Sequence, residues 1–262
     1  MAITQHKIGS GFDAHSTADE VLAGLRLSGK NVLITGGYSG LGLEATRALV
    51  RAGAHVVVPA RRPAVAREAL HGITRTEVRE FDLSDPDSIR TFSHRFLETG
   101  RTVDIVINNA GVMAYPHRLI APGWEAHFAI NHLGHFALVN RLRPALAPTG
   151  ARVVSVASSG HFLSDIRWDD PHLRHGYDHW SAYGQSKTAN ALFAMWVRCD
   201  HEMARATQNF DQANGPPGLR RTTEAAVGSG PSCLRRARRW PRSAGPRPSG
   251  PALIPSRSGK QA

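Results

Sequence analysis

The chain has 262 residues, 41% of them apolar, which is enough to bury the core of one α/β domain. It contains only two cysteines, Cys199 and Cys233, which argues against a disulfide framework and a thiolate metal site. No apolar run reaches the roughly 18 residues of a membrane span, and the N-terminus lacks the layout of a signal peptide. We therefore expect a soluble, cytoplasmic protein that does not bind membranes.

The net charge of +11 is concentrated towards the C-terminus. Residues 201–262 contain 11 Lys/Arg and 3 Asp/Glu, which leaves 21 and 18 in the first 200 residues. The same segment is rich in Gly and Pro and has no strand-like apolar run, as is typical of a disordered tail. We expect an N-terminal extension over residues 1–27, a folded domain over 28–200 and a basic tail over 201–262. Because the folded domain is nearly neutral, we do not expect it to bind nucleic acid.

Short β-branched runs alternate with stretches of helical period from residue 31 onward. Four helices are predicted. The first runs from Leu41 to Ala52, and the second follows a capping box formed by Ser84 and Asp87. The third covers residues 124–142, and the fourth runs from near Tyr183 through Val197. Strands are predicted over 31–35, 55–60, 76–81, 103–107 and 152–156. This alternation predicts an α/β fold of Rossmann type, a doubly wound parallel sheet covered by helices on both faces.

A glycine-rich segment, Thr35-Gly-Gly-Tyr-Ser-Gly-Leu-Gly42, lies between the first predicted strand and the first long helix. Glycines at such a turn let the backbone approach a pyrophosphate, whose charge the helix N-terminus stabilises. An ordinary strand-to-helix turn is the alternative for the motif alone, but the flanking strand and helix favour nucleotide binding. The candidate cofactor-binding residues in this segment are Gly36, Tyr38, Ser39, Gly40, Leu41 and Gly42.

Two further segments follow predicted strands at the edge where ligands meet a parallel sheet. Arg61 and Arg62 come after the second strand, where an acidic residue would favour NAD. Their guanidinium groups could bind the 2′-phosphate of NADP, and we favour this interpretation over the alternative of two solvated arginines. Asn108-Asn-Ala-Gly111 follows the fourth strand. We therefore predict NADP as the cofactor, with NAD possible.

Tyr183 and Lys187 are four residues apart on a predicted helix and project from one face. A lysine ammonium near a phenol favours the ionised phenol and lowers its pKa. A plain surface helix is the alternative, because this spacing is common.

Taken together and in order, these motifs resemble the short-chain dehydrogenase/reductase family over about residues 28–197. The resemblance is closest to the branch of retinol dehydrogenases and related bacterial oxidoreductases, as carried by three segments: Leu27-Ser-Gly-Lys30, Asn131-His-Leu-Gly-His-Phe136 and Ala182-Tyr-Gly-Gln-Ser-Lys-Thr-Ala-Asn190. It implies a hydride transfer between the nicotinamide cofactor and a carbonyl or alcohol of a small molecule.

The resemblance also implies residue roles. Tyr183 would be the general acid/base, Lys187 would lower its pKa and hold the ribose, and Asn131 would support a proton relay. Ser158 would orient the carbonyl, with Ser159 as the alternative. Cofactor contacts would also come from Arg61, Asp82, Leu83, Asn109, Ala110, Gly111, Tyr183 and Lys187. A homodimer through the tyrosine-bearing helix is possible in such proteins.

The chain departs from the family pattern beyond residue 200. The sixth and seventh strands are not recognisable, and Pro217-Gly218 matches the family by coincidence. The fifth strand should therefore lie at or near a sheet edge. A frameshift or fusion would explain the tail, and a non-catalytic dinucleotide-binding or interaction protein is the alternative function.

The segment between Ser158 and Tyr183 carries four histidines, at positions 161, 172, 175 and 179. It has no cysteine and few carboxylates, so we expect a solvated or substrate-covering loop and no metal site. His132 and His135 are expected to lie on a helix surface or in packing contacts.

Overall fold

The structure is a computed structural model that describes residues 9–13, 15–120 and 122–214, with no side-chain detail from residue 198 onward. One compact unit spans Met1–Gly218, and the second, Leu219–Ala262, lies outside the described residues. Most of the predicted tail, and the Pro217-Gly218 pair, therefore lie outside the described residues too.

A parallel sheet of five strands forms the centre of the described domain. Its strands are β1 (Asn31–Ile34), β2 (His55–Ala60), β3 (Thr76–Glu80), β4 (Ile105–Asn108) and β7 (Arg152–Ser155), in the order β3-β2-β1-β4-β7. The strand order reverses beside β1, where the crossovers change from one side of the sheet to the other. This is the doubly wound fold predicted from the alternation of strand and helix patterns.

Helices cover both faces of this sheet. On one face, α2 (Gly40–Arg51) and Leu70, which follows α3 (Pro63–Ala69), bury the apolar side chains of β1 and β2. On the other face lie α4 (Pro86–Glu98), α5 (Gly134–Leu142) and α6 (His179–Asn214), with the buried apolar cluster centred on three aromatic rings. Those rings belong to Phe81, Phe92 and Phe96. Burial on both faces explains why β1 and β4 are almost wholly apolar.

The N-terminal extension docks on the domain through a short helix. Helix α1 (Ala18–Leu22) begins with a capping box between Thr17 and Glu20. Asp19 accepts a bidentate hydrogen bond from Arg51 of α2 at 2.7–2.9 Å, and Leu27 N–H donates to Ala52 O. The part of the extension next to the domain is therefore ordered against α2.

The segment predicted as one helix over residues 124–142 begins as a strand and contains a π-helix. Strands β5 (Leu119–Ile120) and β6 (Trp124–Glu125) form a small antiparallel hairpin, a π-helix follows over Phe128–Leu133, and α5 comes last. The helical prediction was wrong at its start because buried Glu125 accepts the N–H groups of the next residues and begins the helix there.

Other boundaries also differ from the predictions. Helix α3, which was not predicted, begins with Pro63 in its first turn. The N-cap of α4 is Asp85 in place of Ser84, since the Asp85 carboxylate accepts the Asp87 N–H. Helix α6 begins at His179 and continues through the predicted boundary at residue 200 to Asn214.

Strand β7 lies at the sheet edge, since among the described residues it pairs only with β4. Its Val153 packs against the cluster under α4, α5 and α6, whereas Val154 points to the opposite face and is 46% exposed. The predicted edge position of this strand is confirmed for the part of the chain that the structure describes.

Candidate active site

The glycine-rich turn joins β1 to the N-terminus of α2. Gly36 has φ +67°, a left-handed conformation that favours glycine. A Cβ on Gly42 would lie 2.3 Å from the Gly36 carbonyl oxygen, so the turn closes only with glycine at that position. Leu41, in the first turn of α2, is 87% exposed. The tight turn, the exposed helix N-terminus and the uncovered leucine fit a dinucleotide lying across them.

The predicted 2′-phosphate contacts lie at the next strand end. Arg61 and Arg62 follow β2 and are exposed, and neither forms an ion pair with another described residue. At the end of β3, the Asp82 carboxylate accepts hydrogen bonds from the backbone and hydroxyl of Ser84 through Oδ1. Leu83 packs against Gly134 of α5. The main-chain atoms and the other carboxylate oxygen of Asp82 therefore lie, like Arg61, at the carboxyl ends of the parallel strands.

Residues 109–111 are joined to the glycine-rich turn through Thr35. The Thr35 hydroxyl accepts the N–H groups of Asn109 and Ala110, each at 3.0 Å, and the Asn109 amide donates to the Thr35 carbonyl at 2.9 Å. A Cβ on Gly36 would contact Ala110 at 3.2 Å. The two predicted cofactor segments therefore form one continuous surface at the carboxyl ends of β1 and β4.

Asn131 lies in the π-helix and is fully buried. Its side-chain oxygen accepts Val112 N–H at 2.8 Å, and its amide donates to Val112 O and to the Ser186 hydroxyl, each at 2.9 Å. A Cβ on Gly111 would meet this oxygen at 2.9 Å. A π-bulge inside a helix is often found at functional sites. Here it joins the segment after β4 to helix α6.

Ser158 and Tyr183 approach each other across Gly160. A Cβ on Gly160 would lie 2.6 Å from Tyr183 Cε1 and 3.3 Å from Ser158 Oγ, so the absence of a side chain there lets the two groups converge. Ser158 caps the short 3-10 helix over Ser159–Leu163 by accepting Gly160 N–H. Ser159, the alternative, is exposed.

Lys187 connects the tyrosine helix to the sheet. Its Nζ atom lies 5.7 Å from the ring centre of Tyr183 and donates to Val156 O at 3.0 Å. Burial lowers the pKa of Lys187, because a charged ammonium loses solvation in the interior. The structure thus brings Tyr183, Lys187, Ser158 and Asn131 together near the carboxyl ends of the strands, beside the glycine-rich turn.

His135, predicted to lie on a helix surface or in packing contacts, is a buried polar residue of this region. It lies one turn after Asn131 and is 1% exposed. Its Nδ1 contacts Asn131 O at 3.0 Å, and its Nε2 contacts the Thr35 hydroxyl at 2.8 Å. His132, in contrast, is only half-buried, with Nδ1 3.3 Å from the Asn190 amide oxygen. No sequence signal separates these histidines from surface ones, because both fit the helical pattern.

The four histidines between Ser158 and Tyr183 have separate partners. His161 contacts Ser158 O, His172 accepts Glu125 N–H, His175 faces Asp170, and His179 lies against Trp180. Among the described residues, no three His, Cys, Asp or Glu side chains are grouped so that they could hold a metal ion.

No described helix combines the length and apolar character needed to cross a membrane.

The sequence profile of short chain dehydrogenases matches residues 30–208. The chain belongs to the short-chain dehydrogenase family. It is 44% identical over 181 residues to a probable oxidoreductase of Streptomyces antibioticus, covering 66% of this chain and 60% of that protein. It is also 41% identical over 176 residues to mouse retinol dehydrogenase 12, covering 64% of this chain and 56% of that protein. The predicted family and branch are confirmed.

Two solved structures share the fold of this short-chain dehydrogenase. An uncharacterised protein of Mycobacterium paratuberculosis is 39% identical with a TM-score of 0.64, over 69% of this chain and 65% of that one. The Pseudomonas aeruginosa RhlG/NADP active-site complex is 26% identical with a TM-score of 0.52, over 66% of this chain and 67% of that one. The chain spans about 60% of the length of the Streptomyces relative.

Proposed function

We propose that this chain is an NADP(H)-dependent oxidoreductase that interconverts a carbonyl and an alcohol on a small molecule. The observation that carries the proposal is the convergence of Tyr183, Ser158 and Lys187 beside the glycine-rich turn. A Cβ on Gly160 would lie within 3.3 Å of both Tyr183 Cε1 and Ser158 Oγ, and Lys187 Nζ lies 5.7 Å from the centre of the tyrosine ring. Membership of an oxidoreductase family supports the same reaction class.

In the proposed reaction, Tyr183 donates a proton to the carbonyl oxygen during reduction and accepts it during oxidation. The Ser158 hydroxyl donates a hydrogen bond to the same oxygen and stabilises its developing negative charge. The Lys187 ammonium favours the ionised tyrosine electrostatically. The Asn131 side chain holds the segment after Gly111 in place through Val112, and Asn131 would support a proton relay between Tyr183 and solvent.

The bound nicotinamide would supply hydride to the carbonyl carbon, or accept it from the alcohol. Gly36, Gly42 and the first turn of α2 would bind its pyrophosphate, and Asn109 to Gly111 would line the adjacent cleft. The exposed guanidinium of Arg61 would bind the ribose 2′-phosphate, which supports NADP over NAD. The NADP complex of the Pseudomonas aeruginosa relative supports this choice.

A test of the proposal is NADPH oxidation by the purified protein with a panel of aliphatic, aromatic and retinoid aldehydes. Tyr183→Phe should lower turnover about 10²- to 10⁴-fold, as expected for the loss of a general acid, and should weaken NADPH binding by much less. Ser158→Ala and Ser159→Ala form a matched pair, of which only the first should impair turnover. Equal activity in the Tyr183→Phe variant would contradict the assigned mechanism.

We also propose that the chain forms a homodimer and is located in the cytoplasm. The chain lacks, among its described helices, one fit to cross a membrane. Light scattering on the purified protein would give the oligomeric state, and fractionation of its own cells would give the location.

A further inference from the structure

The segment that follows Gly111 is fixed at both ends by buried side chains. At its start, Val112 exchanges two hydrogen bonds with the side chain of Asn131. Three residues later, Tyr115 N–H donates to Nε2 of His127 at 3.0 Å. Between these anchors, Ala114 has φ +52°, a left-handed conformation that is unfavourable for a residue with a side chain and persists only where the surroundings impose it.

The anchor at His127 is set by a buried carboxylate. Glu125 and His127 are both 0% exposed, and Nδ1 of His127 lies 2.8 Å from a Glu125 oxygen. The carboxylate also accepts the N–H groups of His127 and Phe128, and these hydrogen bonds keep its pKa low despite burial. Because the carboxylate can only accept, Nδ1 carries the proton, and Nε2 is left to accept from Tyr115.

His127 also borders the proposed acid/base. Its ring centre lies 6.3 Å from that of Tyr183, in an edge-to-face arrangement, and 6.4 Å from that of Tyr115. Its Nδ1 faces the buried Glu125 carboxylate and its Nε2 accepts a main-chain N–H, so neither nitrogen is left to bind substrate or the Tyr183 hydroxyl. Its contacts instead fix the position of Tyr115 relative to Tyr183.

A third anchor comes from the segment before α6. The Tyr177 hydroxyl donates to the main-chain oxygen of Tyr115 at 2.7 Å, and its ring lies 4.5 Å from that of His117. Burial, with the negative charges of Glu125 and Asp178, raises the pKa of Tyr177 to about 12, so it stays a hydrogen-bond donor at neutral pH.

The segment over residues 164–178 is itself held firmly, which makes Tyr177 a fixed support. Buried Gln185 of α6 accepts Arg167 N–H and donates to Pro171 O, each at 2.8 Å. Leu173 is fully buried with φ +47°, and His172 accepts Glu125 N–H at 3.3 Å. The segment predicted to be a solvated or substrate-covering loop is therefore docked on the domain, with contacts to α6 and β6.

We propose that Tyr177 is a specificity-determining positioning residue, which holds residues 112–117 as a rigid wall of the substrate site beside Tyr183. This inference rests on the proposed function. The wall leaves Met113, which is 61% exposed, between two fixed anchors. Because this wall is already ordered in the free protein, a substrate that contacts it does not lose affinity to the entropy cost of ordering the segment on binding. Tyr177 acts through Tyr115 and does not touch the reacting atoms.

The test compares two tyrosine-to-phenylalanine variants. Tyr177→Phe removes the donor of the contact, whereas Tyr115→Phe retains it because Tyr177 binds the main-chain oxygen. Hydrogen/deuterium exchange of residues 112–117 should become about 3- to 10-fold faster in Tyr177→Phe only. With NADPH and the aldehyde of the panel that the unaltered protein reduces best, KM should rise about 3- to 10-fold with kcat within about twofold.

The outcomes separate this inference from the proposed function. If exchange over residues 112–117 is unchanged in Tyr177→Phe, the contact does not hold the segment and the inference fails while turnover remains. If exchange increases but KM stays the same, the segment is not a wall of the substrate site. If the unaltered protein reduces no aldehyde, the proposed function fails and the substrate role fails with it, whereas the exchange result still decides whether Tyr177 holds the segment.

Discussion

Thr35 and His135 are joined by a hydrogen bond of 2.8 Å in the protein interior, between the hydroxyl and Nε2. Nδ1 of His135 faces the main-chain oxygen of Asn131 and so carries a proton, and the ring is neutral near pH 7 because burial lowers its pKa to about 4. The Thr35 hydroxyl then donates to Nε2 while it accepts from Asn109 and Ala110. One buried chain of hydrogen bonds thus links the proposed cofactor surface to the π-helix.

The first prediction concerns pH and His135. Burial lowers the pKa of His135 from 6.5 to about 4, so between these values the unfolded chain binds a proton that the folded chain does not. Stability is therefore fully present above pH 6.5 and is lost as the pH falls towards 4. The shift corresponds to roughly 3 kcal/mol of unfolding free energy across this window.

Urea unfolding at several pH values would measure this dependence. His135→Gln should flatten the fall in stability between pH 6.5 and 4, whereas His94→Gln, on the exposed surface of α4, should leave it unchanged. The buried carboxylates with lowered pKa contribute mainly below this window, so the difference between the two variants isolates His135. Identical slopes in both variants would contradict the prediction.

The second prediction concerns cofactor choice. Arg61 is exposed at the end of β2, where a guanidinium would bind the 2′-phosphate. Arg61→Asp should weaken NADPH binding about 10-fold or more and NADH binding by much less, as measured by fluorescence titration. Arg67→Asp on α3 makes the same charge change as a control. Equal losses for both cofactors would show that Arg61 does not read the phosphate.

The third prediction separates cofactor binding from turnover with two glycine substitutions. An alanine methyl at position 42 would lie 2.3 Å from the Gly36 oxygen, and at position 160 it would lie 2.6 Å from Tyr183 Cε1. Gly42→Ala should weaken NADPH binding about 10-fold, because overpacking deforms the turn. Gly160→Ala should lower kcat about 10- to 100-fold with NADPH affinity retained, because the tyrosine is displaced.

Titration of NADPH and steady-state kinetics on both variants would test this separation. A loss of NADPH affinity in Gly160→Ala that matches the loss in Gly42→Ala would mean that the two sites are not separable. Circular dichroism of both variants would show whether the fold itself is retained.

The fourth prediction concerns the edge strand β7. Val154 is exposed on it, and exposed apolar edges promote association between chains. Val154→Lys should reduce concentration-dependent light scattering and change the unfolding free energy by less than about 0.5 kcal/mol. Val153→Lys is the matched control, since Val153 packs against the core and its replacement should cost more than about 2 kcal/mol. Unchanged scattering in Val154→Lys would argue against association through this edge.

The sequence by itself determined the sheet and its two cofactor segments, because each depends on residues close together in the chain. The apolar runs of β1, β2 and β4 fix buried parallel strands, and the glycines after β1 are required by a turn that closes within a few residues. The four-residue spacing of Tyr183 and Lys187 likewise follows from the period of one helix. The family resemblance then supplied roles that spacing alone leaves open.

Only the tertiary structure decided how distant segments meet. The contacts of Thr35 with His135, of Tyr115 with His127 and of Tyr177 with Tyr115 join residues that are far apart in the chain or lie on different elements. A histidine or tyrosine has the same local pattern whether it is solvated or buried, because burial is set by what packs above it. For the same reason, the docking of residues 164–178 on α6 could not be read from the chain and depends on the packing of Gln185 and Leu173.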